Sequence, residues 1–181
     1  MTLLSVLIPT LPQRRHLLQR ACEHLGAHPE VEIVIDDRPE VIPTGRKRNE
    51  LIARAQGEYV CFLDDDDFPQ PGYLVEIIHA IKMNEYPDCV TFEGWMTSDG
   101  KFEANWVIKF GENYEERKGI YYRFPNHLVP IKKRIAQMVQ FPDKTKGEDY
   151  EWALQIKQRG LIKSSYHIPK KLYHYAYISR K

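Results

Sequence analysis

Three short apolar runs, residues 4–8, 31–35 and 59–63, alternate with stretches of helical period, and this order limits the fold more than any other feature. Leu17, Leu18, Ala21, Cys22 and Leu25 form a 3.6-residue stripe between the first two runs. Arg48, Leu51, Ile52 and Ala55 mark a second helix between the next two, and Tyr73, Leu74, Ile77, Ile78 and Ile81 a third after the last. Strands joined by connections of helix length pair in parallel, and near-continuous apolar strands are covered on both faces. The expected fold class is therefore α/β: a mostly parallel, Rossmann-like sheet with helices on both faces. In such sheets ligands bind at the carboxyl ends of strands. Pro9-Thr10, Asp36-Asp37 and Asp64 to Asp67 all follow strands, so three polar strand ends converge on one rim.

The second half changes character. Residues 89–95 and 102–110 read as strands around a turn at Ser98-Asp99-Gly100, and residues 111–119 as a charged, mobile loop. Helices are expected over 132–139 and 148–159, and the aromatic tail 172–177 is strand-like. With 181 residues and no linker composition or internal repeat, the chain reads as one domain. Residues 1–88 would form a nucleotide-binding half and residues 89–181 a smaller, mixed acceptor-binding half.

Four adjacent carboxylates repel one another, and burying one without a partner is costly. Such a cluster after a buried strand points to a cation, and hard oxygen ligands suit Mg²⁺ or Mn²⁺ shared with the phosphates of a ligand. Asp64, Asp65 and Asp66 are the candidates, while Asp67 is expected to cap the helix that follows. Arg46 and Arg48 sit where a helix starts after Gly45, a place that suits phosphate. The formal net charge of +1 creates no strong field toward nucleic acid or anionic lipid. Cys22, Cys61 and Cys89 are too scattered for a disulfide framework or a zinc motif, so a reduced, soluble, cytoplasmic protein is expected. Residues 3–8 are too short for a signal-peptide core, and no stretch reaches membrane-spanning length.

Gly45-Arg46-Lys47-Arg48-Asn49 and the run Ala55-Gln56-Gly57-Glu58-Tyr59 into Asp64-Asp65-Asp66-Asp67 resemble the family 2 glycosyltransferases of GT-A fold. Ser5 to Thr10 is similar to that family's first strand, Asp36-Asp37 to its paired acidic strand end, and Gly147-Glu148-Asp149 to its second acidic motif. The resemblance covers residues 4 to 160, and residues 124–132 look like small relatives from bacteriophage and large-virus genomes. Arg38-Pro39 departs from the Gly-Ser or Asn-Ser that usually follows the paired aspartates.

The resemblance implies metal-dependent transfer of a sugar from a nucleotide-diphosphate sugar, UDP-linked, to an acceptor hydroxyl with inversion. It implies Asp66 as a direct metal ligand with Asp64 beside it. Thr10 and Asp37 would lie at the base, and Pro9, Arg46, Arg48, Asn49, Asp64 and Asp65 would line the rest of the donor site. Asp149 would be the general base, with Glu148 orienting acceptor or helix. Read without the family, Glu148 and Asp149 are acidic residues complementing a helix macrodipole. His174 is similar in position to the late histidine that ligates metal in some GT-A enzymes. Asn126, His127 and the aromatic Trp95 are candidates for the acceptor pocket.

Two other readings stay open. A nucleotidyltransferase shares carboxylate-bound Mg²⁺, but its Gly-rich phosphate loop has no counterpart in Pro9-Thr10-Leu11-Pro12-Gln13. A non-catalytic nucleotide-sugar-binding module would bind donor and lose nothing on Asp149→Asn. Glycan, protein, lipid-linked sugar and modified DNA base all fit as acceptors. DNA would gain support if Lys132, Lys133 and Arg134 stood beside the acidic rim.

Overall fold

β1 (Leu4–Pro9) is the strand on which the first half is built: it pairs in parallel with a neighbour on each side. The structure, a computed structural model, describes residues 1–39 and 41–177. Sandwiched between strands, Leu4, Val6, Leu7 and Ile8 are wholly buried, which explains the unbroken apolar run. After a turn of 3₁₀ helix at Pro12–Arg14 the chain enters α1 (Arg15–Leu25), then β2 (Val31–Asp36), an edge strand whose Ile33 faces solvent. α2 (Thr44–Arg54) packs across β1 and β2 and leads into β3 (Tyr59–Phe62) on the other flank of β1.

A two-residue strand, β4 (Phe68–Pro69), precedes α3 (Tyr73–Met83), which buries Tyr73, Leu74, Ile77, Ile78, Ala80 and Ile81. The second half then adds β5 (Cys89–Ser98), β6 (Lys101–Ile108), β7 (Glu115–Arg117), β8 (Ile120–Arg123), β9 (Ile131–Lys132), α4 (Lys133–Ala136), α5 (Glu148–Gln158) and β10 (Ser165–Tyr177). Among the described residues all ten strands join one sheet, in the order β2-β1-β3-β9-β5-β6-β8-β7, with β10 pairing β5 in parallel and β4 antiparallel. The β2-β1-β3 unit is parallel, whereas β9 runs antiparallel to both β3 and β5 and splices the two halves together. One apolar core runs from Leu3 to Tyr173 through both halves.

The α/β expectation is met, with helices flanking the sheet. Four details differ from the sequence reading. Residues 111–119 are not all loop: Glu115–Arg117 pairs with β8 as a charged edge strand. The helix expected over 132–139 is a single turn, Lys133–Ala136, because Ile131 and Lys132 are used as β9. The tail strand is longer than expected and starts at Ser165, with irregular register near Lys171. Asp67 caps nothing, since α3 starts after Gly72 and has no side-chain cap.

Candidate active site

Strand direction brings the ends of β1, β2 and β3 to the same rim, and the residues that follow β1 and β3, but not Asp36 or Asp37 at the end of β2, line a cleft of about 780 Å³. Pro9, Thr10, Arg14, Lys47 and Asp64 to Asp66 form one side, and Tyr175, Ala176 and Tyr177 of β10 complete the lining together with Thr145 and Lys146. The four aspartates, adjacent in sequence, face four different surroundings.

Asp64 accepts a hydrogen bond from Arg48 Nη2 at 3.0 Å and lies 3.6 Å from His127 Nε2. Burial alone would raise its pKa, but the Arg48 guanidinium and the neighbouring His127 ring outweigh it and hold the carboxyl below the usual range. Asp65 is buried, accepts from the Thr10 hydroxyl and pairs with Arg14 Nη2 at 2.5 Å; burial still wins and raises its pKa. Asp66 is the more open of the pair facing Arg14, with its side chain 35% exposed and 2.7 Å from the same Nη2. Asp67 is sequestered: Tyr173 donates its hydroxyl at 2.8 Å and Ala176 its backbone N–H at 2.9 Å. Desolvation, reinforced by the Asp64 charge, pushes the Asp67 pKa well up.

The basic run of α2 divides just as sharply. Arg46 is exposed and pairs with Asp143. Lys47 is buried and its ammonium donates to the carbonyls of Thr10, at 2.7 Å, and of Arg38, which ties the end of β1 to the loop after β2. Arg48 is buried between Asp64 and Glu148, with Nε 3.2 Å from the latter and its guanidinium 4.7 Å above the Phe62 ring. Asn49 exchanges two hydrogen bonds with the Phe141 backbone and so fastens α2 to the loop ahead of α5. Asp36 accepts two-pronged contacts from Arg38, while Asp37 is exposed.

α5 begins after Gly147, which takes φ 72°, a left-handed turn that costs glycine little. Its first two residues diverge. Glu148 turns inward onto Arg48, and Asp149, one-third exposed, lies 3.5 Å from His127 Nδ1. His127 is buried, and among the described residues neither ring nitrogen has a hydrogen-bond partner, so the imidazole stands between two carboxylates at the longer ion-pair distance. Asn126 donates to the Tyr114 hydroxyl at 3.1 Å, and Tyr114 packs edge-on against Tyr150 at 5.1 Å, leaving two partly exposed rings on this side.

Trp95 and His174 come together elsewhere. Their rings stack at 4.9 Å, Phe68 covers the histidine at 5.5 Å, and His174 Nε2 is 2.9 Å from the Thr97 hydroxyl. Burial lowers the His174 pKa. Among the described residues no three His, Cys, Asp or Glu side chains converge as a ready-made metal site. Lys132, Lys133 and Arg134 lie beside Gly57 and Glu58, where β3 begins, the opposite end from Asp64. Lys132 and Arg134 pair with Asp88, and Lys133 donates to the Ala55 carbonyl, so the arrangement that would have favoured DNA is absent from these residues.

Arg14, Lys47, Tyr173 and Tyr175 were not among the sequence candidates. Arg14 and Lys47 had a signal, since Arg14 follows a rim strand and Lys47 is the centre of the basic run. Tyr173 and Tyr175 had none, because their approach depends on the register of β10.

The sequence model of glycosyl transferase family 2 matches residues 36–141. Crystal structures of S. aureus TarS have the same fold. The 1–349 fragment in complex with UDP aligns over 97% of this chain and 60% of its own, at 15% identity and TM-score 0.72. The complex of that fragment with UDP-GlcNAc aligns over 99% and 59%, at 12% identity and TM-score 0.70. Against a longer TarS chain the coverage is 97% and 37%, at 14% identity and TM-score 0.69, so this chain spans about a third to three-fifths of those proteins. A search of curated proteins finds no significant match. With the family's sequence model matching more than half of its length, the chain belongs to glycosyl transferase family 2.

Proposed function

We propose that this family 2 glycosyltransferase moves a hexose from a UDP-sugar to an acceptor hydroxyl, with a divalent cation and with inversion. The observation that carries the reading is the acidic cleft at the ends of β1 and β3, with a second carboxylate, Asp149, linked to it through His127. The TarS structures in complex with UDP and UDP-GlcNAc support the donor class. Residues 1–88 would serve the donor and residues 89–181 the acceptor. The three free thiols support a cytoplasmic setting, and no described helix is long and apolar enough to cross a membrane.

Asp64 and Asp66 present hard carboxylate oxygens to the cleft, and Mg²⁺ or Mn²⁺ binds through one or two carboxylates plus substrate phosphates, so the residues fit such an ion. His174, held between Trp95 and Phe68, is left out of that set. The cation, when bound, supplies positive charge to the departing diphosphate. Pro9, Thr10 and the exposed Asp37 border the nucleotide, and Lys47 fixes their relative position by holding two backbone carbonyls. Glu148, fixed by Arg48, sets the first turn of α5 and thereby the position of Asp149. Asp149 takes the proton of the acceptor hydroxyl as its oxygen bonds to C1, and the C1–O bond to the diphosphate breaks on the opposite face. Tyr114, Tyr150 and Asn126 flank that carboxylate and would receive the acceptor.

Asp149→Asn separates this enzyme from a binding module. The variant is expected to keep UDP affinity within about two-fold and to lose about 10²-fold or more in UDP release from its UDP-sugar. Unchanged turnover would remove Asp149 from the chemistry.

A further inference from the structure

The cations around the acidic rim are unequal in one respect. Lys47 is committed to two backbone carbonyls and Arg48 is buried between Asp64 and Glu148. Arg14 lines the cleft itself, its side chain a quarter exposed, and reaches Asp65 at 2.5 Å and Asp66 at 2.7 Å through the single nitrogen Nη2. Its Nε is buried and has no hydrogen-bond partner among the described residues. Its backbone is set by the 3₁₀ turn that starts at Pro12, where the Arg14 N–H donates to the Leu11 carbonyl at 2.9 Å, so the side chain is delivered to the rim by the loop after β1. A guanidinium bound by one corner, with a second donor unused, is under-employed as a carboxylate partner. Its fork suits the two oxygens of a phosphate.

We propose that Arg14 is an exchangeable counter-charge of the donor site. It neutralises Asp65 and Asp66 while the cleft is empty, yields Asp66 to the divalent cation, and turns its free donors onto the diphosphate. The inference rests on the metal and donor reading above and gives it a consequence opposite in sign for the two ligands. Like charges cannot share the Asp66 carboxylate without cost, so Arg14 weakens binding of the cation alone. Once the diphosphate is present, the same side chain strengthens binding.

Calorimetric titrations of Arg14→Met and Arg14→Lys test both signs. Mn²⁺ alone is expected to bind Arg14→Met about three-fold more tightly than the parent, the scale of a part-exposed ion pair. UDP at saturating Mn²⁺ is expected to bind the same variant about ten-fold more weakly, with Arg14→Lys between variant and parent because lysine keeps the charge and loses the fork. Mn²⁺ affinity that is equal or lower in Arg14→Met, or no Mn²⁺ binding by either protein, overturns the competition. UDP affinity unchanged in both variants overturns the phosphate contact. If the parent binds UDP normally, only the role of Arg14 falls; if the parent binds no UDP with any divalent cation, the donor reading falls with it. Should Arg14→Met fail to fold, Arg14→Lys alone decides, since full parental UDP affinity in it contradicts the fork argument.

Discussion

Single charges in this site are set by the partner each one meets. Arg38 illustrates it: it occupies the position where the family's usual small residue is replaced, and it closes on Asp36 and Glu50. Burial would raise the Asp36 pKa, but the Arg38 hydrogen bonds and charge outweigh it and lower it. A carboxyl whose folded pKa is depressed stabilises the fold above its unfolded value and loses that contribution as pH falls through the folded one. Arg38→Gln is therefore expected to be less stable than the parent at about pH 6, with the gap closing toward about pH 3. Urea midpoints at the two pH values measure it, and a gap that stays constant would assign the loss to packing instead. The aspartate run was legible as a charged rim, yet its division into four environments was not. Asp67 alone is reserved by Tyr173 and Ala176, more than a hundred positions along the chain, and no local pattern encodes that.

Between elements, the decisive contact is α2 against the segment that feeds α5. Gly45 lies so close to it that a Cβ would stand 1.9 Å from the Pro142 carbonyl oxygen, and the Gly45 N–H donates to the Lys144 carbonyl at 3.0 Å. Asn49 closes the same seam one turn later. This approach lets Arg48 reach Glu148, so α5 presents Asp149 to the rim. Gly45→Ala is expected to cost about 1–3 kcal/mol from overpacking, read by urea unfolding, and to lower turnover more than UDP affinity. A variant of parental stability would show that the seam yields freely. The helices α1, α2, α3 and α5 were readable because each buries one stripe on a single large core. β7, β8 and β9 escaped notice for the opposite reason: two to four residues are too few to display a period, and their pairing is decided by neighbours in the sheet.

At the scale of the whole molecule, one sheet carries both halves, and its order explains where the chemistry can be. β1 and β3 end at the cleft, β9 joins the halves, and β10 returns along β5 to bring Tyr173 and Ala176 over the acidic rim. The parallel half was legible because a strand paired on both sides is apolar throughout, and the rim followed from its direction. The second half was less so, since Tyr114, Asn126, His127 and Tyr150 meet only once β7, β8 and α5 are in place. The basic trio at 132–134 occupies the far end, so the positive surface it offers is spent on Asp88 and a backbone carbonyl. Calorimetric titration of UDP with and without Mn²⁺, in the parent and in Asp66→Ala, is the measurement that decides whether the acidic rim is a cation-assisted UDP site. Binding is expected to require the ion and to weaken by about ten-fold or more in the variant, the scale of losing a charged ligand. UDP affinity indifferent to both Mn²⁺ and Asp66 would contradict it.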